Sequence, residues 1–109
     1  MTKTVAKSVE RLQWNTEHHF LHIKAQHDFI RQWAVQFELG YSDARLIQAY
    51  LETEKPELWD EFTNAYEDVY QYEYAFVAGG LEGFNSQFGD KIDDYDKAHT
   101  AFLNVLTKI

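Results

Sequence analysis

From Val5 to Phe37 the chain places an apolar or small residue at every third or fourth position, and no glycine or proline interrupts the pattern. Val5, Val9, Leu12, Thr16, His19 with Phe20, Ile23, His27, Ile30, Ala34 and Phe37 share one face of a 3.6-residue period, whereas a strand would alternate in twos. One long N-terminal helix is the expectation, stopped by Gly40 in the position just past a helix end. Unbroken, it would reach about 50 Å at 1.5 Å per residue, more than a globule of this size needs. A kink near Trp14 to Glu17 would relieve that.

The remaining boundaries follow from turn and cap residues. Ser42 and Asp43 are placed to cap a short helix over roughly 43–54. Pro56 fits the first turn of a third helix that begins at "PELWDEF" and runs to Val77 or Ala78, where Gly79 and Gly80 stop it. The segment 79–89, "GGLEGFNSQFG", reads as a loop with one helical turn, pinned by Phe84 and Phe88. Asp90 then caps a last helix whose buried stripe is Ile92, Tyr95, His99, Phe102 and Leu106. No stretch alternates like a strand and no unit repeats. The expected fold is all-α, a bundle-like single domain over 1–109 with about four helices, the first of them long.

Composition narrows the class further. At 45% hydrophobic and 17% aromatic, the chain carries enough apolar surface for a packed core. It contains no cysteine, which excludes disulfides, thiolate nucleophiles and cysteine-ligated zinc and fits a cytoplasmic setting. "MTKTVAKSVERLQWN" has no apolar segment behind its lysines, and nowhere do 18 apolar residues run together, so neither a secretory leader nor a membrane association is expected.

The third helix has three faces. Leu58, Phe62, Ala65, Val69, Tyr72 and Phe76 form one apolar arc, and Trp59, Tyr66, Tyr70, Tyr74 and Val77 form the arc beside it. Together they span about 200°, twice the stripe that a surface helix turns to its core. The rest is a ridge of Glu57, Asp60, Glu61, Asn64, Glu67, Asp68 and Gln71. Tyrosine suits a groove wall, since its ring can be covered while its hydroxyl stays wet. The first helix shows a comparable second face in Trp14, His18, His22, Ala25, Phe29 and Trp33. A double-sided helix sits either in the centre of its bundle or at an interface with a partner or a second copy.

Charge points the same way. The formal net charge is −8, yet residues 1–45 carry five acids against six Lys and Arg, while residues 46–96 carry thirteen acids against Lys55 and Lys91 alone. Such a block repels nucleic acid. "SDARLIQAYLETEKPELWDEF" could form a helix-turn-helix, but its second helix would present Glu57, Asp60 and Glu61 where phosphates require Lys or Arg. The block would attract a basic partner, or simply keep a small protein in solution.

Catalytic signatures are weak. "GGLEG" lacks the Lys-Ser/Thr tail of a phosphate loop, no Ser or Thr stands beside a positioned base, and the carboxylates fall on solvated faces that do not raise a pKa. His18 and His22, at i and i+4, could share a metal ion, but His19, His27 and His99 turn toward the core instead. A carboxylate-bridged di-iron bundle needs two Glu-x-x-His motifs, and the chain has none. The expected function is therefore a non-enzymatic interaction module without a cofactor. Glu57, Asp60, Glu61, Glu67 and Asp68, with Tyr66, Tyr70 and Tyr74, form its expected contact surface for a basic protein, in its sharpest form as an inhibitor that imitates nucleic acid. The alternatives are a metal-binding bundle using His18 and His22, and a structural homodimer.

Overall fold

The computed structural model describes residues 1–28 and 30–109, and the side chains of all of these except 30–32. Among the described residues four helices form an up-and-down bundle: α1 (Lys3–Lys24), α2 (Ile30–Glu54), α3 (Trp59–Phe88) and α4 (Ile92–Leu106), with a 3₁₀ turn, Pro56–Leu58, leading into α3. Each helix packs on its chain neighbours, α4 returns to α1, and α1–α3 and α2–α4 are the diagonals. The molecule measures 41 × 24 × 18 Å. No described residue is in a strand, and no described helix is long and apolar enough to cross a membrane.

The all-α bundle agrees with the sequence reading, but the first two helices divide elsewhere. α1 is capped by Thr2, whose hydroxyl accepts from the Val5 N–H at 3.2 Å, and it passes Trp14–Glu17 as helix. It stops at Lys24, fifteen residues before the expected end. Gln26 takes a left-handed φ of 60° and donates its backbone N–H to Ile23 O at 2.9 Å. Its side chain exchanges hydrogen bonds with Asn85, at 2.9 and 3.4 Å, which ties the turn to α3. Folding back here lets two helices cover each other's apolar stripes, which a single 50 Å rod could not do.

Beyond the turn the pattern is partly rephased, although Phe37 is buried as expected. Trp33, expected on an outer aromatic face, is fully buried, and His27, expected in the core, is exposed. Phe29, expected on that outer face, lies outside the described residues, as does the side chain of Ile30. Gly40, Ser42 and Asp43, read as a stop and two caps, lie inside α2. Gly40 is where α1 and α2 press together: a Cβ there would stand 3.3 Å from Leu12 Cδ1. Asp43 is buried and grips Arg11 through two hydrogen bonds of 2.6 and 2.8 Å. That paired geometry favours the charged guanidinium and raises its pKa.

Pro56 opens the 3₁₀ turn before α3, as expected of a proline at a helix start. Gly80 breaks the ideal geometry with φ 66° and ψ −164°, but the chain bends there and continues as helix to Phe88 instead of entering a loop. Phe84 is buried and Phe88 half-buried, so both anchor this extension. Asp90 does not cap α4; Lys91 occupies the cap without a side-chain bond, and Asp93 and Asp94 in the first turn set negative charge against the helix N-terminus. The expected stripe of α4 is buried at Tyr95, His99, Phe102 and Leu106, and half-buried at Ile92.

Two apolar clusters fill the bundle. One joins Leu12, Ile47, Leu51, Phe62, Val69, Phe102 and Leu106. The other joins Phe20, Ile23, Trp33, Phe76, Phe84 and Tyr95.

Candidate functional site

The acidic ridge lies along the outer face of α3. Glu57 sits in the 3₁₀ turn, and Asp60, Glu61, Glu67 and Asp68 follow on the helix, all exposed. Glu61 is bridged to Lys108, just past the end of α4, at 2.6 Å. Ten of the eleven carboxylates between residues 57 and 96 are exposed, and Glu73 alone is buried. The α1–α2 half is close to neutral, so the bundle carries its charge on one side.

The three tyrosines of the expected strip divide by depth. Tyr66 is 6% exposed and packs on Phe62 and Phe102, so it belongs to the core. Burial, then the charge of Glu73, raises its phenol pKa. Tyr70 is half-buried and Tyr74 is 53% exposed, their rings stacked with centroids 6.0 Å apart. Facing them from α2 are Phe37, 5.1 Å from Tyr70, and Tyr41, 6.4 Å from Tyr70 and 47% exposed. The result is a cleft between α2 and α3 with rings on both walls. At one end it is lined by Phe37, Glu38, Tyr41, Ser42 and Tyr70, and at the other by Tyr41, Arg45, Gln48, Tyr66, Glu67 and Tyr70. Glu67 belongs to both ridge and cleft, so the acidic and aromatic surfaces are continuous.

The α2 wall of this cleft is missing from the sequence reading. Phe37, Tyr41 and Arg45 are spaced four apart and share a face only if the helix is carried through Gly40. Ending the helix at Gly40 hid that alignment.

Glu73 is also missing from it. His19 Nδ1 lies 2.7 Å from Glu73 Oε1, its Nε2 lies 2.9 Å from Gln36 Oε1, and its ring stacks on Trp33 at 4.0 Å. Both members of the pair are at most 5% exposed. A histidine oriented by a carboxylate is the arrangement of a general base, but a base must reach the proton that it removes, and this ring is sealed from substrate. Tyr95 shares the polar interior: its hydroxyl is buried with no described group in hydrogen-bond reach, and burial followed by the Glu73 charge raises its pKa well above the ordinary value. Residue 73 falls on the buried arc of α3, between Val69 and Phe76, and that was the available signal.

His18 and His22 lie on the outer face of α1. Trp14 stacks on His18 at 4.5 Å, His18 meets His22 edge-to-face at 4.3 Å, and His22 Nδ1 meets His27 Nδ1 at 3.1 Å. Burial, then neighbouring imidazoles, lowers the pKa of both His18 and His22. No group of three or more His, Asp or Glu among the described residues is arranged to hold a metal ion. Compared with protein-family models, curated proteins and solved structures, the chain matches none of them.

Proposed function

We propose that this chain is a small, non-catalytic interaction module that binds a basic protein surface across the outer face of α3. The observation that carries the reading is the one-sided display of carboxylates beside exposed aromatic rings. Ten acids stand exposed between residues 57 and 96, and two lysines of that half are engaged, Lys108 by Glu61 and Lys55 by the Ile109 carbonyl oxygen. A uniform acidic coat would serve solubility alone. Here the charge adjoins Tyr70 and Tyr74, residue types enriched where proteins meet. On α3, Glu61 and Asp68 lie two turns apart in one file and Asp60 and Glu67 two turns apart in another, at about 5.4 Å per turn, with Glu57 just ahead in the 3₁₀ turn. Regularly spaced anions suit a partner whose own ligand is a polyanion, which is the form an inhibitor imitating nucleic acid would take.

A lysine decamer is the simplest probe. Its affinity is expected to fall steeply between about 50 and 500 mM salt, because charges more than about 8–10 Å apart are screened near physiological ionic strength. Neutralising Asp60, Glu67 and Asp68 to Asn, Gln and Asn is expected to weaken binding more than tenfold. Neutralising Glu82, Asp90 and Asp96, three exposed acids off the ridge, should have a much smaller effect. Equal losses from the two triple variants would reduce the effect to net charge and overturn the reading.

A further inference from the structure

Beyond a general attraction for positive charge, the cleft between α2 and α3 has the furniture for one particular side chain. We propose that its Phe37–Tyr41–Tyr70 end is the seat of a single arginine contributed by the basic partner, an inference that rests on the interaction reading above.

Three features support it. First, the walls are aromatic: Tyr70 packs against Phe37 at 5.1 Å and Tyr41 at 6.4 Å, and Tyr41, about half in water, leaves ring surface open to an incoming side chain. A flat, weakly hydrated guanidinium stacks on such rings better than a compact ammonium does. Second, the same end holds the Glu38 carboxylate and the Ser42 hydroxyl, acceptors for a guanidinium's donors, and no basic residue lines it. Among the described residues Glu38 has no cationic partner. Third, the adjoining end of the cleft, across the Tyr41–Tyr70 pair, is lined by the chain's own Arg45 beside Tyr41, Tyr66, Tyr70 and Glu67, its guanidinium donating to Gln48 Oε1 at 3.1 Å. The Phe37–Tyr41–Tyr70 end has rings and a carboxylate and no guanidinium along its lining.

The test compares the lysine decamer with decamers carrying one central arginine or one central citrulline, titrated while the Tyr41 and Tyr70 ring protons are followed by NMR. The arginine peptide is expected to bind about fivefold more tightly than the all-lysine peptide, within the range of a partly exposed cation–π contact. Citrulline, which keeps the shape and loses the charge, should show no gain. Tyr41→Leu and Glu38→Gln should each abolish the arginine preference and leave the salt-dependent binding of the lysine decamer. Retention of the lysine decamer with no arginine preference, or a preference that survives Tyr41→Leu, overturns this inference alone. Failure to bind the lysine decamer overturns the wider reading first. A dimer in light scattering that Tyr41→Leu dissociates would show a second copy in the cleft and also overturn the arginine seat.

Discussion

The two ends of the bundle are held together differently. Around Leu12, Ile47, Leu51, Phe62, Tyr66, Phe102 and Leu106 the core is aliphatic and aromatic, stabilised mainly by buried area, with the Arg11–Asp43 pair closing its edge. Around Phe20, Trp33, Phe76, Phe84 and Tyr95 the core encloses a His19–Glu73–Gln36 chain and a tyrosine hydroxyl, and lies near both irregularities of the backbone, the Gln26 turn and the Gly80 bend. Apolar burial is tolerant of detail, whereas a buried hydrogen-bonded polar pair is unforgiving of a missing partner. The first end should supply bulk stability, and the second should fix which of several similar packings is adopted.

The largest expected effect tests the polar end. Glu73→Ala strips the buried imidazole of its carboxylate and should cost about 3–5 kcal/mol in chemical denaturation. His19→Ala should cost a comparable amount, and the double variant distinctly less than the sum. Additive losses would show that the pair is not a unit, and the contrast between the ends would fail.

At the apolar end Leu51→Ala should cost about 3 kcal/mol through lost burial and a residual cavity. The distinction then lies in repair. Leu51→Met, close to isosteric, should recover most of the loss because only volume matters there. Glu73→Gln keeps the shape at the polar end and should recover much less, since it removes the charge. Equal recovery at both sites, measured by urea titration, would erase the comparison.

How much of this was legible depends on whether a feature is set by local pattern or by a distant partner. The α4 stripe, the Pro56 start and the exposed ridge were legible because each follows from periodicity or from proline chemistry alone. The Gln26 turn was not, because no glycine or proline marks it; a glutamine holds φ 60° in a turn tied to Asn85, 59 residues away. Gly40 misled for the complementary reason. A glycine can end a helix or let two helices touch, and only Leu12, brought alongside by the fold, decides between them. The cleft inherited that error, since its α2 wall exists only in the continuous helix. Glu73 was within reach of a helical wheel, but a lone acid in a tyrosine-rich segment looks like surface until the buried arc is counted.

A smaller effect of opposite sign sharpens the contrast. Tyr95→Phe removes a buried hydroxyl that meets no described partner, and should stabilise the protein by about 1–2 kcal/mol. Tyr66 and Tyr95 both have raised pKa values, with burial the main cause, so the folded state keeps its protons where the unfolded chain gives them up. Their contribution is complete below pH 10, the ordinary tyrosine value, and is lost as pH rises above it. Alkaline unfolding should therefore be less steep in Tyr95→Phe than in the parent chain, and unchanged steepness in a pH series of denaturation curves would show that Tyr95 is not the sealed group.

The smallest effect belongs to the outer face of α1. His18 and His22 have lowered pKa values through burial and through neighbouring imidazoles, so the folded chain resists taking up protons that the unfolded chain accepts at about pH 6.5. By linkage their contribution is complete above that pH and is lost as pH falls through the depressed folded values. Both rings lie near the surface, where solvent screens the interaction, so the response should be a shallow decline of the thermal midpoint on mild acidification, not a cooperative acid transition. His22→Gln removes a group whose pKa is lowered by burial and then by His27, at the cost of one exposed hydrogen bond of 3.1 Å, and should flatten that decline while leaving the neutral-pH midpoint almost unchanged. If the decline persists in His22→Gln, the outer face of α1 is not its source.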